Sequence, residues 1–219
     1  MRFTLAAASL TLLAAQSQAA GGHFDVDDAT VLDPGRCQVE AWFVRAPAAA
    51  TSVVHVGPGC RVGPVEMGLN LDRALTTGNG RTLLGPQLKW VADPLVDKLS
   101  AGVAWSASYD LTNRGRPAQT AYVPLTWWAA EKLWVHANIG ADRDAQGTRW
   151  RRRGLSGEWA ASDRFTLIAE RTKIFGDWTS RLGGRFSLNT SLSIDLSAAR
   201  VGPQAEHVYV VGLNQEFAR

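Results

Sequence analysis

Residues 133–142 read LWVHANIGAD, and apolar side chains alternate with polar ones along this stretch. The odd positions hold leucine, valine, alanine and isoleucine, whereas the even positions include His136 and Asn138. Because successive side chains of a β-strand point to opposite faces, this period of two predicts a strand with one apolar face. The stretch is also about as long as a tilted strand that crosses a bilayer, and longer than most strands of water-soluble proteins.

The same alternation recurs along most of the chain from residue 36 onward, with serine, glycine, asparagine and isolated charges on the second face. A soluble sandwich normally exposes a face rich in lysine and glutamate. Small polar residues with single charges suit the crowded, hydrated interior of a membrane barrel. Further segments of this kind are residues 99–110, 178–188, 192–199 and 208–217.

The number of alternating segments predicts the size of the barrel. Ten strands fit between Val65 and Phe217, and segments at 36–45 and 51–57 add a hairpin before them. We therefore expect an all-β protein, a single antiparallel up-and-down transmembrane β-barrel over residues 36–219 with about twelve strands, ten being the alternative. Shorter connections at one end and longer, more polar ones at the other are typical of outer-membrane barrels. The shorter ones are 92–98, 129–132, 161–163 and 189–190, and the longer ones are 76–81, 112–117, 144–148, 173–177 and 201–206.

Nine tryptophans are unusual in a chain of 219 residues. Most of them lie towards predicted strand ends, where aromatic side chains form belts at the two surfaces of a bilayer. The band at the short connections comprises Trp90, Trp127, Trp128, Trp134, Trp159 and Phe165, and the band at the long ones comprises Tyr109, Trp150, Trp178 and Tyr209.

Charge and hydropathy exclude two other classes of protein. The chain has 23 Lys and Arg residues against 20 Asp and Glu residues, and the resulting net charge of +3 is too small to suggest a nucleic-acid partner. No run of 18 apolar residues is present, so a membrane-spanning helix is not expected.

The start of the chain has the features of an export signal. Arg2 precedes an apolar run, and Ser17-Gln18-Ala19 supplies small residues ahead of a cleavage site, which predicts a signal peptide over residues 1–19. Residues 20–35 are then expected to be a periplasmic segment before the barrel, and the expected location is the outer membrane. The aspartates of residues 20–35 do not have the spacing of a calcium-binding loop, and no metal or cofactor is predicted.

Export also gives meaning to the two cysteines, Cys37 and Cys60. The turn-like segment 46–50 lies midway between them, so a hairpin centred there would bring the sulfur atoms together. An oxidising compartment favours a structural disulfide. No CxxC motif or nearby histidine cluster supports a redox or metal role.

The interior face of the predicted barrel carries a set of charged and polar side chains. They fit either a polar path for a small solute or a salt-bridged filling of a narrow barrel, because buried charges must be paired. His136 points inward and no GxSxG motif is present, so we expect no enzyme. The predicted lumen residues are Glu40, Glu66, Lys89, His136, Asn138, Glu158, Glu170, Arg181, Arg185 and Asp195.

The densest charge cluster is residues 149–153, RWRRR, just after a predicted outer connection. Guanidinium groups form bidentate hydrogen bonds with phosphate. Arg151 and Arg153 are therefore predicted to contact lipopolysaccharide phosphates, a solvated strand end being the alternative.

One resemblance covers most of the chain. Residues 24–29 (FDVDDA) and 32–42 (LDPGRCQVEAW), with Lys89, resemble a family of proteobacterial outer-membrane β-barrel proteins of largely unknown function. The remaining positions that match this family are residues 122–125, 136–140, Glu170 and Asp195. More loosely, the chain is similar to the transporter group named after the meta-pathway of phenol degradation. The resemblance implies a barrel, a membrane location and transport.

The C-terminus departs from the family pattern, because Phe217 is followed by Ala218 and Arg219 rather than ending the chain. Tyr209 and Phe217 still have the phase expected of a signal for the barrel-assembly machinery. The predicted function is a channel or transporter for small solutes, and the expected partners are outer-membrane lipid, lipopolysaccharide, the assembly machinery and a solute. The alternatives are a closed structural or interaction barrel and a soluble, lipocalin-like periplasmic binding barrel, and the oligomeric state stays open.

Overall fold

The computed structural model describes residues 22–76, 79–92 and 98–219, so the predicted signal peptide lies outside the described residues. The described chain forms twelve β-strands. They are β1 (Arg36–Ala46), β2 (Thr51–Val62), β3 (Val65–Thr76), β4 (Asn79–Val91), β5 (Leu99–Asp110), β6 (Ala118–Ala130), β7 (Leu133–Arg143), β8 (Arg149–Ala160), β9 (Phe165–Ile174), β10 (Asp177–Ser187), β11 (Leu192–Val201) and β12 (Glu206–Ala218). In these ranges no helix is long and apolar enough to cross a membrane.

Each strand pairs antiparallel with its neighbours in sequence, and β12 pairs with β1 to close the ring. Val44 of β1, for example, lies opposite Val210 of β12. The predicted all-β, up-and-down barrel is confirmed with twelve strands, and the ten-strand alternative is wrong. Closure gives each of the twelve described strands two hydrogen-bonded neighbours, so the ring has no free strand edge.

The two faces of the wall differ as the alternation predicted. Outward-facing Ile139 and Leu155 are 63% and 59% exposed, whereas inward-facing His136 and Asn138 are only 2% and 1% exposed. The apolar side chains therefore cover the outside of the barrel and the polar ones fill its interior.

We call the end where β1 begins and β12 finishes the proximal end, and the opposite end the distal end. Among the connections that the structure describes in full, the predicted contrast between short proximal and long distal connections is not seen. Only Phe175 and Gly176 join β9 to β10 at the distal end, whereas residues 188–191 join β10 to β11 at the proximal end. Phe175 and Gly176 both have positive φ, 46° and 93°, the conformation of the tightest hairpin turns. The strands thus extend into polar sequence that we expected to form loops.

Cys37 and Cys60 lie directly opposite each other on β1 and β2, with their Cα atoms 4.0 Å apart, and form a disulfide. The disulfide lies near the proximal end, and both cysteines occupy outward-facing positions of their strands.

The position of the N-terminal segment corrects the sequence prediction. Residues 22–35 are here called the inner segment, and residues 22–32 lie inside the barrel rather than in the periplasm ahead of it, whereas the exposed residues 33–35 lead into β1. Val26 and Asp28 are completely buried there. The segment goes inside because its backbone groups and aspartates find hydrogen-bonding partners on the polar inner wall.

Candidate functional site

The inner segment follows the inner wall around most of the ring. Its N-terminal end at Gly22 lies against β1 and β12, and its other end leads into β1 through Gly35. Between these points it contacts β11, β10, β9, β7, β6, β5 and β3 in turn. The anchoring pairs are Gly22 with Glu40, His23 with Ser197, Asp25 with Arg181, Val26 with Glu170, Asp27 with Asn138, Ala29 with Thr126 and Ser100, and Leu32 with Glu66 and Arg61. The segment is therefore a lining that narrows the lumen.

Carboxylates of the wall accept backbone N–H groups of the inner segment. Glu170 accepts from Asp25 at 3.1 Å and from Val26 at 3.0 Å. Glu66 accepts from Leu32 at 2.9 Å. Backbone N–H groups that are shielded from water need acceptors, so these two side chains fix the path of the segment.

Lys89 lies beneath the two adjacent aspartates of the inner segment. Its Nζ donates to Asp27 Oδ1 at 2.7 Å and to Asp28 Oδ1 at 2.8 Å. Tyr122 donates its hydroxyl to the other oxygen of Asp27 at 2.9 Å. The ammonium group thus offsets the charge of two neighbouring carboxylates, of which Asp28 is fully buried and Asp27 is partly buried.

Two arginines form further ion pairs inside the barrel. Arg181 contacts Asp25 of the inner segment at 3.0 Å and Glu170 of β9 at 2.8 Å. Arg185 makes two hydrogen bonds of 2.8 Å to Asp195 on β11. Opposite charges were expected to pair across the lumen, and here one of the partners comes from the inner segment.

Two glycines of the wall make room for apolar side chains of the inner segment. A Cβ atom placed on Gly154 would lie 2.8 Å from Val26, and one placed on Gly183 would lie 3.1 Å from Phe24. Sequence reasoning missed this role. The only signal was glycine at an inward-facing position of a long strand.

His136 and Glu158 are buried behind the inner segment. Their side chains are 3.7 Å apart at Nε2 and Oε1, and neither atom has a hydrogen-bond partner among the described residues. The Nδ1 atom of His136 lies 2.9 Å from the hydroxyl of Thr126. This pair supports the wall and does not face the open part of the lumen.

The space that the inner segment leaves free is a cavity of about 580 Å³, lined mainly by β1–β6 and closed by residues of β10–β12. Its lining reaches Phe175 near the distal end and Ser191 near the proximal end. Four predicted residues line this cavity, namely Glu40, Glu66, Lys89 and Arg185. The others contact the inner segment or lie behind it, namely His136, Asn138, Glu158, Glu170, Arg181 and Asp195.

Sequence reasoning also missed an aromatic group in the cavity wall. The rings of Trp42 and His55 are stacked with centroids 3.4 Å apart and an interplanar angle of 5°. His55 Nδ1 lies 2.7 Å from Asp72. These three residues lie on three different strands, and no sequence motif links them.

The arginine run of β8 divides between the two faces of the wall. Arg151 and Arg153 are exposed on the outward face. Arg152 points inward, with its guanidinium 3.1 Å from Asp142 and 5.0 Å from the centre of the Tyr122 ring. The two predicted rim residues are thus separated from the lumen.

The fold and its narrowed interior define a closed twelve-stranded β-barrel with a polar lumen. The family described as "Uncharacterised conserved protein UCP029691" matches residues 8–214, and the chain belongs to this family. No curated protein matches the chain.

Two solved structures have a similar fold. One is described as the KdgM porin in complex with disordered oligogalacturonate, with a TM-score of 0.63 and 12% identity over 82% of this chain and 99% of that chain. The other is the COG4313 outer membrane channel from Pseudomonas putida F1, with a TM-score of 0.62 and 12% identity over 89% of this chain and all of that chain. These neighbours are outer-membrane porins and channels. The looser resemblance to the phenol meta-pathway transporter group stays a prediction.

Proposed function

We propose that the protein is an outer-membrane channel that passes small polar solutes between the inner segment and the wall formed mainly by β1–β6. The cavity of about 580 Å³ carries this proposal, because residues near both ends of the barrel contribute to its lining. A narrow passage of this kind suits small solutes rather than folded or polymeric cargo. The likeness in fold to two outer-membrane channels supports it.

The outside of the barrel supports a membrane location. Large apolar side chains cover it, and Trp127 and Trp159 are each 52% exposed near the proximal end. Tyr109 and Tyr209 are exposed near the distal end. Such a surface would be costly in water, which disfavours the soluble, lipocalin-like alternative. Trp128, Trp134 and Trp150 have inward parity and do not belong to the proposed outer bands.

The proposal places the proximal end in the periplasm, with export directed by residues 1–19. Phe217 is exposed on the outward face of β12, available to the barrel-assembly machinery. No catalytic residue or cofactor is assigned.

The charges around the cavity indicate which solutes would pass. Carboxylates outnumber the cationic side chains in its lining, which favours cationic or neutral solutes over anionic ones. The charged lining residues are Asp25, Asp27, Asp33, Glu40, Glu66, Asp72 and Glu216 against Lys89, Arg152 and Arg185. This charge balance does not favour a polyanion such as the oligogalacturonate named for the KdgM structure.

Membrane insertion is tested by gel mobility of the outer-membrane fraction, boiled and unboiled. A closed barrel keeps its hydrogen-bonded fold in detergent, so we expect faster migration before boiling and a shift after it. Recovery in the soluble periplasmic fraction without a shift would overturn the membrane proposal.

Passage is tested by single-channel recording and liposome swelling. The matched variant lacks residues 22–32, which removes the lining but keeps every strand. We expect small, discrete conductance from the wild type and a larger one from the deletion variant.

The second candidate is a closed barrel with a structural or interaction role, favoured by the many contacts of the inner segment. It predicts that only the deletion variant conducts and admits solute. Swelling of wild-type liposomes in a small neutral sugar, with none in empty liposomes, would exclude this candidate.

A further inference from the structure

A cluster of cationic side chains lies on the outward face of β7, β8 and β9, near the distal end. The outward faces of β7–β10 carry no aspartate or glutamate. The cluster, here called the cationic patch, consists of Arg143, Arg149, Arg151, Arg153, Arg171 and Lys173.

Two pairs of like charges face each other directly within this patch. Arg143 lies opposite Arg149, and Arg153 lies opposite Lys173. Like charges opposite each other across two strands are destabilising. No ion pair to a described residue offsets the charge of any member of the patch. The arrangement therefore calls for an anion from outside the chain.

Trp178 of β10 holds part of the patch in place. The guanidinium carbon atoms of Arg153 and Arg171 lie 4.9 and 4.8 Å from the ring centre, and Lys173 Nζ lies 5.9 Å from it. Arg171 also donates to the hydroxyl of Ser180 at 2.7 Å. These contacts restrict long side chains before any ligand arrives, which lowers the entropy cost of binding.

We propose that the cationic patch binds the phosphate groups of lipopolysaccharide in the outer leaflet, a role separate from solute passage. Guanidinium groups match phosphate oxygens with paired hydrogen bonds. Exposed Ile139 and Leu155 lie directly opposite Arg153 and Arg171 on the same outward face. Exposed Leu182 lies farther towards the proximal end, so acyl chains would pack beside and below the patch. This apolar neighbour surface is why we assign a lipid rather than free phosphate. The proposal rests on the membrane orientation given under the proposed function.

The test is binding of lipid A to the purified full-length barrel in detergent, followed by native mass spectrometry. The probes are lipid A with two phosphates, lipid A with its phosphates removed, and inorganic phosphate. The variants are R151S/R153S and W178L. The control is R73S, because Arg73 is an exposed outward arginine near the distal end of β3, on the far side of the ring from β9.

We expect the wild type and R73S to bind diphosphorylated lipid A and to prefer it over the dephosphorylated form. R151S/R153S should bind diphosphorylated lipid A with at least about tenfold lower affinity, because it lacks two guanidinium groups that contact phosphate. W178L should also bind it more weakly, because it keeps an apolar side chain but no longer orders the three cations.

Equal binding by wild type and R151S/R153S would overturn the proposal, and so would equal affinity for both forms of lipid A. Inorganic phosphate that displaces lipid A at equal concentration would reassign the patch to free anions and overturn the lipid site. Heat-dependent gel mobility and conductance are measured on the same samples. A shifting, conducting barrel with unaltered lipid binding would refute the patch alone, whereas a wild type without a heat shift would refute the membrane placement.

Discussion

Asn138 holds the backbone of Asp27 on both of its polar groups. Its side-chain oxygen accepts the Asp27 N–H at 2.8 Å, and its amide donates to the Asp27 carbonyl at 2.7 Å. The side chain of Asn138 thus makes the two hydrogen bonds to Asp27 that the backbone of a neighbouring strand would otherwise make. Asn138 is 1% exposed, so both bonds are shielded from water.

Replacing Asn138 with alanine should loosen the inner segment without unfolding the barrel. Two shielded hydrogen bonds are lost, which weakens docking by about 2 kcal/mol. We expect faster hydrogen exchange at the amides of residues 24–32 and unchanged exchange in the strands. Asn113→Ala, in an exposed distal connection, serves as the control. Identical exchange in N138A and wild type would contradict the role assigned to Asn138.

Lys89→Met should weaken docking of the inner segment much more, because it removes the ammonium group that contacts both Asp27 and Asp28. Removal of one partner from a buried ion pair typically costs about 3–5 kcal/mol. We expect the inner segment to leave the lumen, with higher conductance and protease sensitivity of residues 22–35. Lys89→Arg should largely restore the wild-type behaviour, whereas Lys132→Met in an exposed turn should have no effect. A closed, protease-resistant K89M barrel would show that the pair does not anchor the segment.

Docking of the inner segment should weaken in mild acid because of His23. Burial, reinforced by the positive charge of Arg181, lowers the pKa of His23 from 6.5 to about 4. The docked state therefore prefers the neutral ring, and its stabilisation is complete above pH 6.5 and is lost as the pH falls towards 4. The effect is on the order of 3 kcal/mol.

The measurement is hydrogen exchange of the inner segment between pH 7 and pH 4, corrected for the intrinsic rate. His23→Gln keeps a donor for Ser197 but does not titrate, so its dependence on pH should be smaller. If hydrogen exchange of the inner segment depends on pH equally in wild type and in His23→Gln, the effect comes from carboxylates and not from His23.

The disulfide should stabilise the barrel near its seam. On the chain-entropy estimate, closing the loop between Cys37 and Cys60 contributes about 3 kcal/mol. We expect reductant, or the C37S/C60S substitution, to lower the temperature at which the gel mobility shifts. Reductant should not affect the double variant further. No change in either comparison would mean that barrel closure alone sets the thermal stability.

Glu66 should contribute to ion selectivity. It lines the cavity and accepts a hydrogen bond from Leu32, and its carboxylate forms no ion pair of hydrogen-bonding length with a described residue. Glu66→Gln keeps an acceptor for Leu32 but removes the charge. We expect a smaller reversal potential in a salt gradient and nearly unchanged stability. Glu131→Gln, at an exposed turn, is the control. An unchanged reversal potential would show that the charge of Glu66 does not act on the permeating ions.

Much of the wall could be predicted from the sequence, because a barrel between lipid and a wet interior must alternate its side chains. Parity alone placed Glu170 and Arg181 inside. The partners of these residues could not be predicted in this way. Asp25 meets Arg181 across a separation of 156 residues, and a pattern with a period of two carries no information about such contacts.

Local turn chemistry explains the other difference. The polar stretch around Phe175 and Gly176 looked like a loop, yet two residues with positive φ suffice to reverse the chain. Polarity indicates that a segment is near water, but it does not distinguish a loop from a strand that continues beyond the bilayer.

The path of the inner segment has a consequence for the order of assembly. Its partners lie on nearly every strand, from Glu40 on β1 to Ser197 on β11. They stand in their final places only after β1 has met β12, so the segment can seat itself only in a completed ring. In a barrel that has not closed, residues 22–35 would remain undocked and open to proteolysis. Degradation would therefore select against chains in which β1 and β12 have not paired.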